Sequence, residues 1–211
     1  MTTTRYRALG WIAPIHKRFR NQKLDLFFEI AGNNPGGRLL DIGGWIGVAG
    51  EFLRLHSSFP EVSVVNLERP NVSGATQKNL WIILADGCYL PFRSRAYDWV
   101  FSNAVIEHVG DWQRQKLFAD EIRRVSAKGY FVATPNRYFP IEPHTLLPFY
   151  QFLPVEIQRR VVRFAPGYLT RYEQIELLSK RQLRLLFPEA KIVDVGFPLI
   201  GNSLVAFHKR A

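Results

Sequence analysis

The sequence predicts an α/β fold in which one open, mostly parallel sheet is wound on both faces by helices. Three observations carry this reading. Short apolar runs alternate with helix-period segments along the 211 residues, the rhythm of strand–helix–strand units. Five of the runs end on a polar residue, namely Asp41, Glu68, Asp86, Asn103 and Asn136. The last two runs, 191–197 and 203–209, are joined too briefly for a helical crossover, so they must pair antiparallel.

Taken in order, residues 14–31 place Phe19, Leu24, Phe27, Phe28 and Ile30 at loose helical spacing, and Asn33-Asn34-Pro35-Gly36-Gly37 stops the helix. Residues 38–44 form a short apolar strand running into glycines. Residues 47–59 read as a helix closed by Pro60. Residues 62–68 and 80–86 are strands ending on an acid, and 96–103 is a strand ending on Asn103. A helix comes next at 111–126, with apolar Leu117, Phe118, Ile122 and Val125, and then a strand at 128–136. Residues 173–187 read as one amphipathic helix, and 191–197 and 203–209 as the final strands. The count is seven strands, all parallel but an antiparallel last one. An open sheet of this kind binds ligands beyond the carboxyl ends of its strands, so the five polar strand ends share one crevice.

Composition narrows the class. Hydrophobic residues make up 47% and charged residues 22%, a globular balance that excludes intrinsic disorder. A single cysteine, Cys88, excludes an internal disulfide and a multi-cysteine metal site, and no metal is expected. No apolar run approaches the ~18–20 residues that span a bilayer, and the first residues lack a signal-peptide core. A cytoplasmic protein is expected. The formal charge is +10, which suits nucleic acid, an anionic membrane, a phosphorylated substrate or mere solubility. The basic residues are spread out, enriched only at 16–18, 159–163 and 180–184.

The crevice residues point to a nucleoside-like ligand. Gly43, Gly44 and Gly47 come after the first strand and open a helix, where glycines permit unusual backbone angles and close ligand approach. Glu68 lies 21 positions beyond Gly47, the distance at which an acid can accept from ribose hydroxyls. Asp86, with Gly87 and Cys88 behind it, can accept from an exocyclic amine while neighbouring amides serve a purine. Asp41 ahead of the glycines would repel a pyrophosphate, and the glycine offsets do not fit a dinucleotide fingerprint.

In order and spacing, residues 38–136 resemble a class I S-adenosylmethionine-dependent methyltransferase of the compact type 11, with the tail 173–209 consistent. Leu39 to Gly47 resembles the family's first motif, Glu68 its ribose acid, and Ala85 to Phe92 its adenine stretch. Tyr97 to Asn103 with Val105-Ile106-Glu107-His108-Val109 resembles its fourth strand and the helix after it. Trp45 stands where the motif has its middle glycine. The resemblance implies a Rossmann-like fold, S-adenosyl-L-methionine as cofactor, and a cofactor set of Asp41, Gly43, Gly44, Trp45, Gly47, Glu68, Asp86, Gly87, Cys88 and Asn103.

Residues 137–172 break the strand–helix rhythm with five prolines and eight aromatics. Long inserts of this kind are commonly lids or binding elements. A general base is needed when the acceptor must lose a proton. His144 in the insert is the first candidate and His108 the second, with Asn136, Arg137, Glu142 and His144 expected around the substrate. Residues 155–164 form an amphipathic helix with Arg159, Arg160 and Arg163, expected to pack as a lid and alternatively to touch an anionic membrane. The expected layout is a single domain: an N-terminal helical segment (1–37), the cofactor core (38–136), the insert (137–172), and a C-terminal helix with two strands (173–211). The expected function is methyl transfer to O or N of a small-molecule, glycan or lipid-linked acceptor, by a monomer or homodimer. Nucleic acid is disfavoured, because the chain has no dense basic stripe. An RNA methyltransferase and a non-catalytic protein of the same fold are the alternatives.

Overall fold

The computed structural model describes residues 13–33, 35–44, 51–69, 79–167 and 169–210. Its elements are α1 (Ala13–Ala31), β1 (Arg38–Ile42), α2 (Glu51–Ser57), β2 (Glu61–Asn66), β3 (Leu80–Leu84), β4 (Tyr97–Asn103), α3 (Trp112–Val125), β5 (Ser126–Pro135), α4 (Val155–Val161), α5 (Lys180–Leu186), β6 (Lys191–Val195) and β7 (Ser203–Lys209). The strands form one seven-stranded sheet in the order β3-β2-β1-β4-β5-β7-β6. β1 pairs parallel with both β2 and β4, and β7 runs antiparallel to β5 and β6. The chain winds outward in one direction from β1 and returns at β4, so β1 and β4 flank the switch point where such sheets bind ligands.

Alternation along the strands builds two cores, one on each face. Leu39, Trp99, Phe101 and Phe131 point to one side and meet Leu24, Phe27 and Phe28 of α1. Leu40, Val100, Tyr130 and Val132 point to the other and meet Phe118, Ile122 and Val125 of α3 and Leu183 and Leu186 of α5. Both faces being covered explains why the central strands read as near-continuous apolar runs. Phe27 lies at the centre of the first core. Its ring contacts Phe28, Phe59, Trp99, Phe101 and Phe131 at centroid distances of 5.4 to 6.2 Å.

The insert is tied down from within. The Glu142 carboxylate accepts from the His144 backbone N–H at 3.1 Å and from the Thr145 backbone N–H and hydroxyl, each at 2.7 Å. It also pairs with Nδ1 of the His144 ring. Gly167 lies against this turn, its N–H donating to the Thr145 carbonyl at 2.8 Å. A Cβ at position 167 would stand 2.2 Å from the His144 carbonyl oxygen. Tyr150, Val162 and Leu169 add a small apolar cluster of their own.

Three expectations about elements change. Only Lys180–Leu186 of the helix expected at 173–187 forms. Ser179 and Gln182 make a reciprocal capping box there, which starts the helix at that point. The residues before it are drawn into extended pairing instead, with the Glu176 N–H on the Glu107 carbonyl and the Arg137 N–H on the Leu178 carbonyl. β2 stops at Asn66, so Glu68 stands in the turn beyond it. The helix expected at 155–164 is α4 continued by a 3-10 turn at Val162–Phe164, and α4 buries none of its residues. Val155, Ile157 and Phe164 face outward, while Val161 packs on the small cluster of Tyr150, Val162 and Leu169. Its neighbouring arginines lie over aromatic rings, Arg159 on Tyr172 and Arg163 on Phe164. Among the described residues no helix is long and apolar enough to cross a membrane.

Candidate active site

A cavity of about 610 Å³ opens at the carboxyl ends of β1 to β4. Gly43, Gly44, Glu68, Asp86, Gly87 and His108 are among its walls. The glycines let the turn close tightly on its neighbours. Gly43 has φ +76°, and a Cβ there would meet Val105 Cγ2 at 2.3 Å. A Cβ on Gly44 would meet Asp41 Oδ2 at 2.2 Å. Asn66, at the end of β2, donates to the Gly44 carbonyl at 2.8 Å and holds the turn in place.

The expected cofactor residues divide. Glu68 is exposed, lines the cavity and pairs with no other side chain among the described residues, so its carboxylate is available to a ligand. Asp86 also lines the cavity. Its Oδ1 accepts from the Cys88 N–H at 2.9 Å and its Oδ2 from Arg114 at 2.7 Å. Burial alone would raise its carboxyl, but these bonds and the guanidinium hold it below the usual range. Cys88 is buried, and burial with the Asp86 charge pushes its thiol up to about 11. The thiol sits behind the wall as packing. Asp41 is 1% exposed and its Oδ2 lies 2.8 Å from Nε2 of His56, so its partner is a side chain of α2 and it does not line the cavity. Trp45 and Gly47 lie outside the described residues. Arg114 and Asn66 were missed in the sequence; Asn66 is one of the polar residues at the β2 end, and Arg114 is one charge among several on an amphipathic helix.

A second cavity of about 460 Å³ adjoins the first. Its walls come from α1 (Ile15, Phe19), the insert (Phe139, Ile141, Leu146) and the β6–β7 connection (Phe197). Phe197 stacks with Phe139 at 5.5 Å and meets Phe19 edge-on at 4.9 Å. Asn103 lines this cavity and not the first, accepting from Lys23 Nζ at 2.6 Å. His144 also lines this space, and its ring meets that of His108, on the wall of the first cavity, edge-to-face at 5.0 Å. The walls of the two cavities therefore touch at this pair of imidazoles. Asn136 and Arg137 line neither cavity. The Asn136 amide is spent on the Gly201 carbonyl and the Tyr138 N–H, each at 3.0 Å.

The electrostatics at this junction follow from burial. Desolvation would lower His144, but its bond to Glu142 and the charges of Glu142 and Glu107 outweigh that and raise it above 6.5. His108 is lowered by burial and by the neighbouring His144. Glu107 is fully buried, and burial raises it against the opposing pull of His144 and Thr134. One of its oxygens accepts from Thr134 at 3.0 Å and the other has no hydrogen-bond partner among the described residues. Glu107, His108 and His144 each offer one ligand-type atom within 4.8 Å of the others, a spacing that a metal ion or a shared proton could use.

Comparison with known proteins agrees with this geometry. The methyltransferase domain family (type 11) matches residues 40–133. No curated protein sequence matches the chain. Among solved structures, the PH0226 protein of Pyrococcus horikoshii is 16% identical with a TM-score of 0.65, over 93% of this chain and 91% of that one. Magnesium protoporphyrin IX methyltransferase from Synechocystis, with bound S-adenosylhomocysteine, is 13% identical with a TM-score of 0.63, over 95% and 85%. The N-methyltransferase NodS from Bradyrhizobium japonicum, in complex with the same molecule, is 11% identical with a TM-score of 0.60, over 93% and 88%. Residues 40–133 thus match the methyltransferase domain family, and the sheet order around them is a fold that this chain shares with these methyltransferases.

Proposed function

We propose that the protein moves a methyl group from S-adenosylmethionine to an O or N atom of a small-molecule, glycan or lipid-linked acceptor. One observation carries the reading: a glycine-walled cavity with a free ribose-type acid adjoins an aromatic-walled cavity, and their walls touch at His108 and His144. The first cavity fits the cofactor on its own features. About 610 Å³ lies within the range of small-molecule sites, and side chains at 43 and 44 would crowd the turn that frames it. When bound, S-adenosylmethionine supplies a methyl on a positively charged sulfur. Glu68 would accept from the ribose hydroxyls, and the 85–87 turn would flank the adenine.

The acceptor would lie in the second cavity, its nucleophile in line through the junction. Holding two reactants in such alignment is worth up to ~7–11 kcal/mol of barrier. With Nδ1 given to Glu142, His144 would take the acceptor's proton at Nε2, and Glu142 would keep the ring oriented and stabilise its charge.

Calorimetry with S-adenosylhomocysteine tests the cofactor half. Glu68→Ala is expected to weaken binding by ~1.5–3 kcal/mol, the usual worth of a hydrogen bond to a charged group. Unchanged affinity would reject the pocket, and no binding by the unmodified protein would favour a non-catalytic role. His144→Gln should lower turnover ~10²–10⁴-fold with cofactor affinity unaltered. The spacing of Glu107, His108 and His144 supports a second reading, in which a divalent ion there activates the acceptor. Turnover that survives a chelator keeps the base assignment. Turnover lost to a chelator and restored by a divalent ion replaces it.

A further inference from the structure

The walls of the second cavity are apolar and aromatic, yet every ionisable side chain on them is a base: His16, Arg20, Lys23 and His144. Among the described residues no acid lines it. Lys23 is only 9% exposed, and its ammonium makes one hydrogen bond, to Asn103, with no ion pair among the described residues. Two further donors on that nitrogen are unused. The nearest acids stand behind the wall. Glu107 pulls on Lys23 without contacting it, and Glu142 is committed to His144 and Thr145.

The cations press on one another in consequence. Burial lowers Lys23 to about 8, opposed by Glu107 and reinforced by Arg20. Burial, then Arg20 and Lys23, lower His16. Residues 1–12, immediately before α1, contain Arg5 and Arg7 and no acid, so that segment holds no countercharge. A buried ammonium that touches no carboxylate among the described residues is costly, and the cost is recovered when an anion enters and takes the unused donors.

We infer that Lys23 is the anchor of an acceptor subsite for an anionic group, a carboxylate or a phosphate, carried on an apolar or aromatic body that fills the space between Phe19, Phe139 and Phe197. The inference rests on the acceptor occupying the second cavity. It adds the charge of that acceptor and the residue that reads it.

The test is calorimetry at pH 7 with three single-ring aromatic probes: 4-hydroxybenzoate, its neutral isostere 4-hydroxybenzamide, and phenyl phosphate. The unmodified protein is expected to bind an anionic probe about 10- to 100-fold more tightly than the amide, the range of one charged hydrogen bond. Whichever anion is preferred identifies carboxylate or phosphate as the group. Lys23→Met should erase the preference, Lys23→Arg should keep most of it, and both should bind S-adenosylhomocysteine as before. That last measurement separates a misfolded variant, or a failed cofactor site, from a failed subsite. Equal binding of anion and amide, no probe binding at all, or a preference that survives in Lys23→Met would overturn the inference.

Discussion

His144 shows how one position can be read in the sequence while its setting cannot. A histidine in a proline-rich insert after β5 is a visible base candidate. That Glu142, two residues before it, would bind its ring, its backbone and Thr145 together depends on how the turn closes. The setting has consequences of opposite sign. Base catalysis needs a neutral ring, so turnover should rise with pH through a midpoint above 6.5, since the folded value is raised. Fold stability should move the other way. The stabilisation due to charged His144 is complete below the unfolded value of 6.5 and is lost as pH rises through the folded one. A pH–rate profile together with melting temperatures across the same interval checks both, and His144→Gln should flatten the second. Asp41 makes the contrasting case. Its acid was legible and its cavity role was inferred, yet its carboxylate is held by His56, a partner that sequence spacing does not announce.

Among the elements, the strands were legible because burial on both faces writes the same apolar signal whichever neighbour a strand takes. Each expected strand matched to within a few residues. The helix expected at 173–187 forms only from Lys180 because the residues before it give their backbone bonds to Glu107 and Arg137. The Ser179–Gln182 capping box was the available signal for the true start. α1 was expected from a loose pattern, and its importance comes from packing. Its Phe27 is fully buried among five aromatic rings, so Phe27→Ala should cost ~3–5 kcal/mol, the usual range for such truncations. Chemical denaturation would read it as a lower midpoint at constant slope. The same helix carries Lys23 and Phe19 into the second cavity, so milder changes along its inner face should alter acceptor binding before they unfold the domain.

At the scale of the molecule, both cavities lie at one edge of the sheet and the two cores lie behind them, which is the division that a switch point imposes. The charge of +10 is the least informative whole-molecule property. Much of it is scattered, while a few cations gather in the second cavity. Transfer RNA should accordingly be held only by diffuse phosphate contacts and released between roughly 50 and 200 mM salt. Filter binding that persists above that range with a sequence preference would move the acceptor class to RNA. The acceptor itself was not legible, because it depends on which side chains from three distant stretches share a wall. The seat of Gly167 on the His144 carbonyl bears on inheritance as well as chemistry. Even the smallest added side chain at 167 strikes backbone there, so a descendant that altered it would have to rebuild 142–145 in the same step. These two stretches are expected to drift together or stand still together, and the insert to pass between relatives as a single block.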